Sequence, residues 1–250
     1  MKIFIAAHKR FSVPENACYV PLHVGAQGKE CIGFSGDNTG VNISVKNPHY
    51  CELTGMYWIW KNCEESVVGL VHYRRYFFNS PLSKHIMTES EIKKSLQNHD
   101  VIIAQRGYTW LNNVEKNYCQ KHTESDIELT RKAIKELYPD YCTCFEKVMK
   151  GNHYSQFNMI ICRKEIFDDY CKWLFDVLGY VEKRLIVPLE ERTKYEQRVF
   201  GFLSERLLVI WLMNHPEYKV LEKPVFNIEE SMPVQRIVSV IKNVIVTFVK

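Results

Sequence analysis

Residues 66–77 read SVVGLVHYRRYF, and this stretch decides the fold. Six small or apolar residues, half of them valine, predict a short buried strand over Ser66–Val71. The run stops abruptly at His72-Tyr73-Arg74-Arg75. The same punctuation recurs outward along the chain. Lys2–Ala7 (KIFIAA) predicts a first strand running into His8-Lys9-Arg10. Asp100–Ala104, Phe157–Cys162 and Tyr218–Leu221 predict further strands. Helical spacing predicts helices from Pro48 to Lys61, over 89–98, 124–138 and 139–149 (broken at Pro139), over Lys164–Leu178 and over Arg198–Met213. Asn47 suits the cap and Pro48 the first turn of the helix over 48–61. Its apolar positions Leu53, Met56, Tyr57 and Trp60 fall on the helical period. Residues 35–47 (SGDNTGVNISVKN) are a turn-rich loop, and 179–195 a charged excursion. Strands alternating with helices predict an α/β single domain with a mainly parallel central sheet flanked by helices. Ligands of such sheets sit beyond the carboxyl ends of the strands. That rule directs attention to His8-Lys9, His72–Arg75, Gln105-Arg106 and Arg163.

Composition narrows the classes. The chain has 250 residues, 46% hydrophobic and 25% charged, which excludes a disordered or repetitive polymer. A net charge of +4 allows a local anion site but falls short of a protein that coats nucleic acid. The nine cysteines are odd in number, include no Cys-x-x-Cys, and read as free thiols of a reducing compartment. The start, MKIFIAAHKRF, does not read as a signal peptide, and no run reaches the roughly 20 apolar residues of a membrane span. The expected location is cytoplasmic, with surface attachment to the inner face of the cell membrane as the alternative.

Four clusters could carry chemistry. In 67–77, His72, Arg74 and Arg75 directly follow a buried strand. Guanidinium forks match phosphate oxygens in a bidentate way, and His8 and Lys9 add cations at the same sheet edge. The competing reading is ordinary ion pairing. In 42–62, Glu52, Tyr57, Trp58 and Lys61 could face a nucleobase or sugar, whereas Met56 and Trp60 suit the core. In 151–162, His153, Tyr154, Gln156 and Asn158 crowd a strand entrance. In 198–207, Glu205 lies early in a helix where a carboxylate could serve as general base. Its competing reading is an ion pair with Arg198 or Arg206. Phosphate-loop, dinucleotide, zinc-protease and serine-hydrolase motifs are absent from the sequence. So is any Asp-x-Asp, the pair with which many nucleotide-sugar transferases hold a divalent ion.

Taken together, AAHKRF (6–11), GVNISVKNPHYCELTGMYWIWKN (40–62), VVGLVHYRRYF (67–77), YPDY (138–141), HYSQFNMIICRKEIFDDYCKWLF (153–175) and QRVFGFLSERLLVIWL (197–212) resemble a family. It is the bacterial capsular and exopolysaccharide glycosyltransferase family long catalogued as a domain of unknown function, some of whose members are described as β-galactofuranosyltransferases. The resemblance spans nearly the whole chain and implies a GT-A-like fold. It also implies transfer from a UDP-sugar to a growing capsular, exopolysaccharide or O-antigen glycan, with inversion. Galactofuranose is the first candidate sugar, and pyranose donors stay open. Asn42, Asn47, Glu52, Tyr57, Trp58, Lys61, His72, Arg74 and Arg75 match the family pattern. Val41 departs from it, standing where an acid is expected.

The expected arrangement follows. His8 and the 35–47 loop, with Asn42 and Asn47, take the nucleoside. Lys9, Arg74 and Arg75 meet the diphosphate in place of a metal, so no cofactor is expected; a divalent metal stays open but is not indicated by any Asp-x-Asp. Glu205 leads as base, with Glu52 and Asp126 in reserve and His153 a further one. Tyr154, Asn158 and Arg198 lie on the acceptor side. Residues 1–233 form the catalytic domain. The tail 234–250 (VQRIVSVIKNVIVTFVK) is either an amphipathic segment on an anionic membrane or a closing element of the core. The membrane reading would bring the domain to a lipid-linked acceptor. The rival function is a non-catalytic nucleotide- or glycan-binding protein of the same fold.

Overall fold

A computed structural model describes residues 1–248, and the surroundings of side chains as far as residue 241. In chain order the strands are β1 (Lys2–Ala7), β2 (Tyr19–His23), β3 (Ser35–Gly36), β4 (Val67–His72), β5 (Arg75–Phe77), β6 (Val101–Ala104), β7 (Gly107–Tyr108), β8 (His153–Tyr154), β9 (Ile160–Arg163), β10 (Val220–Lys223) and β11 (Val225–Asn227). The helices are α1 (Asn47–Tyr50), α2 (Leu53–Asn62), α3 (Glu89–Ser95), α4 (Val114–Cys119), α5 (Glu124–Leu137), α6 (Cys142–Lys150), α7 (Lys164–Glu182), α8 (Val199–Met213) and α9 (Met232–Phe248). Seven strands lie side by side in the order β10-β6-β9-β4-β1-β2-β3, and the β5–β11 ribbon branches from β4. Six of the seven run the same way. Only β9 opposes its neighbours β4 and β6. The domain is thus α/β with a mainly parallel sheet, as the alternation predicted.

Side chains alternate between the two faces of the strands. On β1, Phe4 and Ala6 join a core built with α2 and α5 to α8, while Ile3, Ile5 and Ala7 join a second core with Tyr76, Phe77 and Phe226. Burial on both faces explains why these strands read as apolar runs rather than alternating ones. Gly69 lets β4 and β9 come together: a Cβ there would stand 2.7 Å from Ile161 Cγ1 and 2.9 Å from the Ile160 carbonyl oxygen.

Several expectations are corrected. The single helix over 48–61 is two, because the chain breaks at Cys51, whose φ is 53°. Asn47 Nδ2 donates to the Cys51 carbonyl at 2.7 Å, so a side chain takes the bond that a continuing helix would need. The strand expected from Phe157 starts only at Ile160, since Phe157 and Asn158 are left-handed (φ 74° and 52°). Pro139–Tyr141 form a 3-10 turn before α6, and α7 runs on to Glu182. Arg163 lies at the opposite sheet edge, paired with Asp100, because β9 points the other way.

All nine cysteines are free. Among the described residues no helix is long and apolar enough to cross a membrane. The tail is helical as α9. Lys250 and the side chain of Lys242 lie outside the described residues.

Candidate active site

The carboxyl ends of β1 and β4 and the chain entering β9 open into a cavity of about 780 Å³. β1 delivers Ala6 and then His8; β4 delivers His72, followed by Tyr73, Arg74 and Arg75. Lys29 and Arg198 complete the basic wall. Lys9 lies over the Tyr73 ring, 5.1 Å from its centre. Arg74 is only loosely engaged, 3.8 Å from Glu229 and 39% exposed. Arg75 packs over the Phe157 ring at 4.9 Å. Burial, followed by Lys9 and Lys29, lowers the pKa of His8, so it is neutral at pH 7. Burial also lowers that of His72, whose Nε2 donates to the Phe157 carbonyl at 2.6 Å. A carbonyl only accepts, so the proton sits on Nε2.

Two carboxylates, Glu52 and Glu205, line the same cavity. The break at Cys51 sets Glu52 at the head of α2, facing the cavity. Its Oε1 accepts from Asn158 Nδ2 at 2.6 Å, and its Oε2 has no partner among the described residues. Glu205 is committed at both oxygens. Oε1 accepts from the Phe157 amide at 3.0 Å and Oε2 from Arg206 Nη1 at 2.9 Å. Burial raises its pKa, and Arg206 acts against that shift. Cys51 sits between these groups with its sulfur 3.2 Å from Arg198 Nε. Burial and Glu52 push its thiol up to about 11, so it is neutral.

Three non-glycine residues among those described have positive φ: Cys51, Phe157 and Asn158. Cys51 and Phe157 line the cavity, and Asn158 hydrogen-bonds its Glu52. Such backbone costs about 1–3 kcal/mol per residue and persists only where the surroundings hold it. Asparagine adopts it more readily than phenylalanine.

The structure gathers His8, Asn47, Glu52, His72, Arg74, Arg75, Arg198 and Glu205 at one cavity. Asn158 lies buried behind Glu52. Other expected residues lie elsewhere. Tyr57, Trp58 and Lys61 stand roughly 7–14 Å along α2 from Glu52 by the rise of a helix. Tyr57 packs edge-on against Phe175, and Lys61 covers the Trp60 ring at 3.3 Å. Trp58 donates to Thr39 and lines a separate hollow with Phe4 and Asn62. Asn42 ties its own loop, bonding the Gly40 carbonyl and the Ser44 amide. His153 packs against Tyr108 across the β7–β8 ribbon, 4.0 Å between ring centres. Tyr154 lies under the Arg206 guanidinium at 4.3 Å. Asp126 is fully buried against Arg192 and is not available as a base. These side chains are already spent on packing or pairing away from the cavity.

Sequence reasoning missed Asp37, which is wholly buried. It accepts from the Gly25 and Ala26 amides at 2.8 and 3.0 Å and from the Ser44 hydroxyl, and so draws the loops after β2 and β3 together. Gly25 (φ 65°) leaves the room that Asn47 fills, since a Cβ there would collide with the Asn47 side chain. Gly25 and Gly28 flanking a short segment, with Asp37-Asn38 beyond, was the signal available for this folded loop.

Comparison with known proteins gives this geometry a context. Residues 2–216 match the domain of unknown function DUF4422, and the chain belongs to that family. No curated protein matches. Among solved structures, one described as the WbbM bifunctional glycosyltransferase in its apo form is similar, with a TM-score of 0.84 and 28% identity. The match covers 92% of this chain and 45% of that one, so this chain spans about half of that protein's length.

Proposed function

We propose that residues 1–233 form a glycosyltransferase domain that transfers a sugar from a UDP-sugar to a hydroxyl of a growing capsular, exopolysaccharide or O-antigen glycan. The transfer inverts the anomeric centre and needs no metal. Galactofuranose is the first donor sugar to test. The observation that carries this reading is the meeting, in one cavity, of Arg74 and Arg75 with a carboxylate that keeps one oxygen uncommitted. The likeness to a bifunctional glycosyltransferase supports the same reading.

Each group has a part. Arg74 and Arg75 hold the diphosphate, with Lys9 and Lys29 extending the positive wall. Glu52 Oε2 takes the proton of the acceptor hydroxyl. The oxygen of the acceptor hydroxyl bonds to the anomeric carbon as the bond from the carbon to the diphosphate breaks. The electron pair leaves on UDP, where the preplaced guanidinium charges stabilise it. Glu205 yields the role of base to Glu52, because both of its oxygens already accept hydrogen bonds, from the Phe157 amide and Arg206, and neither is left for the acceptor hydroxyl. In this reading Arg74 and Arg75 supply the counter-charge that a divalent ion supplies elsewhere.

The test is thermal shift and UDP release over a panel of UDP-galactofuranose, other UDP-hexoses, and dTDP and GDP sugars, each with EDTA or manganese. One UDP-sugar should stabilise the protein and be turned over equally in both. Release that requires manganese overturns metal independence. Binding without release returns the non-catalytic binder, and no response rejects the nucleotide-sugar reading.

We place α9 on an anionic membrane, where the acceptor is lipid-linked. Val234, Ile237, Val238 and Ile241 form an exposed stripe along it, and residues 232–250 hold three cations and no acid. The protein should sediment with phosphatidylglycerol vesicles and lose this when 234–250 are deleted. Unchanged recovery overturns the placement.

A further inference from the structure

The turn at Phe157 and Asn158 touches four of the groups at the cavity, Glu52, Glu205, His72 and Arg75. The Phe157 amide donates to Glu205, its carbonyl accepts from His72, and its ring carries Arg75. Asn158 Nδ2 donates to Glu52 Oε1 at 2.6 Å and to the Gly201 carbonyl at 3.0 Å, while Oδ1 accepts from Ser204 Oγ at 2.7 Å. The amide can sit only this way round. Reversed, its oxygen would face a carboxylate and a carbonyl with no hydrogen between them. Glu52 is gripped from the other side by its own backbone, since Cys51 before it is left-handed and is held there by Asn47.

We propose that Asn158 is a positioning residue: it fixes one oxygen of Glu52, so that the other is presented to the acceptor hydroxyl. This rests on reading Glu52 as the base. The adjacent left-handed residues are the backbone cost of bringing Asn158 behind Glu52 and the Phe157 amide onto Glu205 in one turn. The strained backbone is thus gathered around the carboxylate whose aim matters most.

Asn158→Gly separates the side chain from the backbone, because glycine adopts the left-handed conformation without penalty. Its kcat for transfer should fall at least tenfold while the donor KM stays within twofold. Asn158→Asp, which sets a second carboxylate against Glu52, should fall further. Loss of thermal stability in Asn158→Gly with unchanged kcat would show a merely structural residue and overturn the proposal. A second measurement does not depend on turnover. Melting temperatures of Asn158→Gly, Glu52→Ala and the double variant should be non-additive, the double being no less stable than the worse single. Additive losses overturn the contact. If the wild type turns over no donor while the coupling holds, the reading of function fails and the positioning contact stands.

Discussion

Asp126 and Glu52 are both carboxylates drawn into the fold, and the fold treats them in opposite ways. Asp126 is saturated. Arg192 reaches it with two nitrogens, each at 2.8 Å, and the Tyr118 hydroxyl donates at 3.2 Å. Neither side chain of the ion pair is more than 2% exposed. The pair ties the excursion before α8 to the first turn of α5. Glu52 has one donor on one oxygen and a basic cavity before the other. A saturated carboxylate has nothing left to offer a substrate, whereas a half-satisfied one at a cavity wall keeps an oxygen that a bound hydroxyl can reach.

One pair of substitutions can break this contrast. Glu52→Gln keeps the shape and the acceptor that Asn158 needs, and removes the proposed base. Transfer should fall by about 10²–10⁴-fold, with a melting temperature close to wild type. Asp126→Ala should do the reverse. It strands Arg192 in the interior at a cost of about 3–5 kcal/mol, which for a chain of this size lowers the melting temperature by on the order of 10 °C. The kcat of the molecules that remain folded should stay near wild type. If Asp126→Ala lost activity without stability, or Glu52→Gln stability without activity, the assignment would be inverted.

The contrast also marks how far the sequence could be read. Central strands such as Lys2–Ala7 and Val67–His72 were legible, because burial on two faces leaves an apolar run with a polar stop. Tyr19–His23 was not, because Pro21 interrupts the pattern in a strand whose outer neighbour is only two residues long. Strand direction leaves no mark on an apolar run, so Arg163 was expected at the wrong edge. That the arginines and His72 meet at one cavity was legible because they follow a strand directly. The choice between Glu52 and Glu205 was not, since it turns on which oxygens are occupied. Asn47, Phe157, Asn158 and Arg206 occupy or place them, with Asn158 reaching Glu52 across 106 residues of chain. Asp126 looked like a reserve base for the same reason: its partner, Arg192, is 66 residues away.

The neighbourhood of Asp126 offers a smaller and sharper test of saturation. His122 lies between the rings of Tyr118, Tyr195 and Phe202, stacked on Tyr195 with an interplanar angle of 15°. Its Nδ1 is buried and has no hydrogen-bond partner among the described residues. Burial, reinforced by Arg206, pushes its pKa down to about 4. In the unfolded chain a histidine titrates near 6.5. Between these values the unfolded chain binds a proton that the folded one refuses, so stability falls as pH drops below about 6.5, and this loss is complete near 4. His122→Phe keeps the aromatic stacking and has no proton to gain. Its melting temperature should therefore drop less between pH 7 and pH 5 than that of the wild type. Other groups titrating in that range are common to both proteins and cancel in the difference. Parallel curves would mean that this pocket admits a charge after all, and that the region around Asp126 is less tightly closed than its ion pair implies.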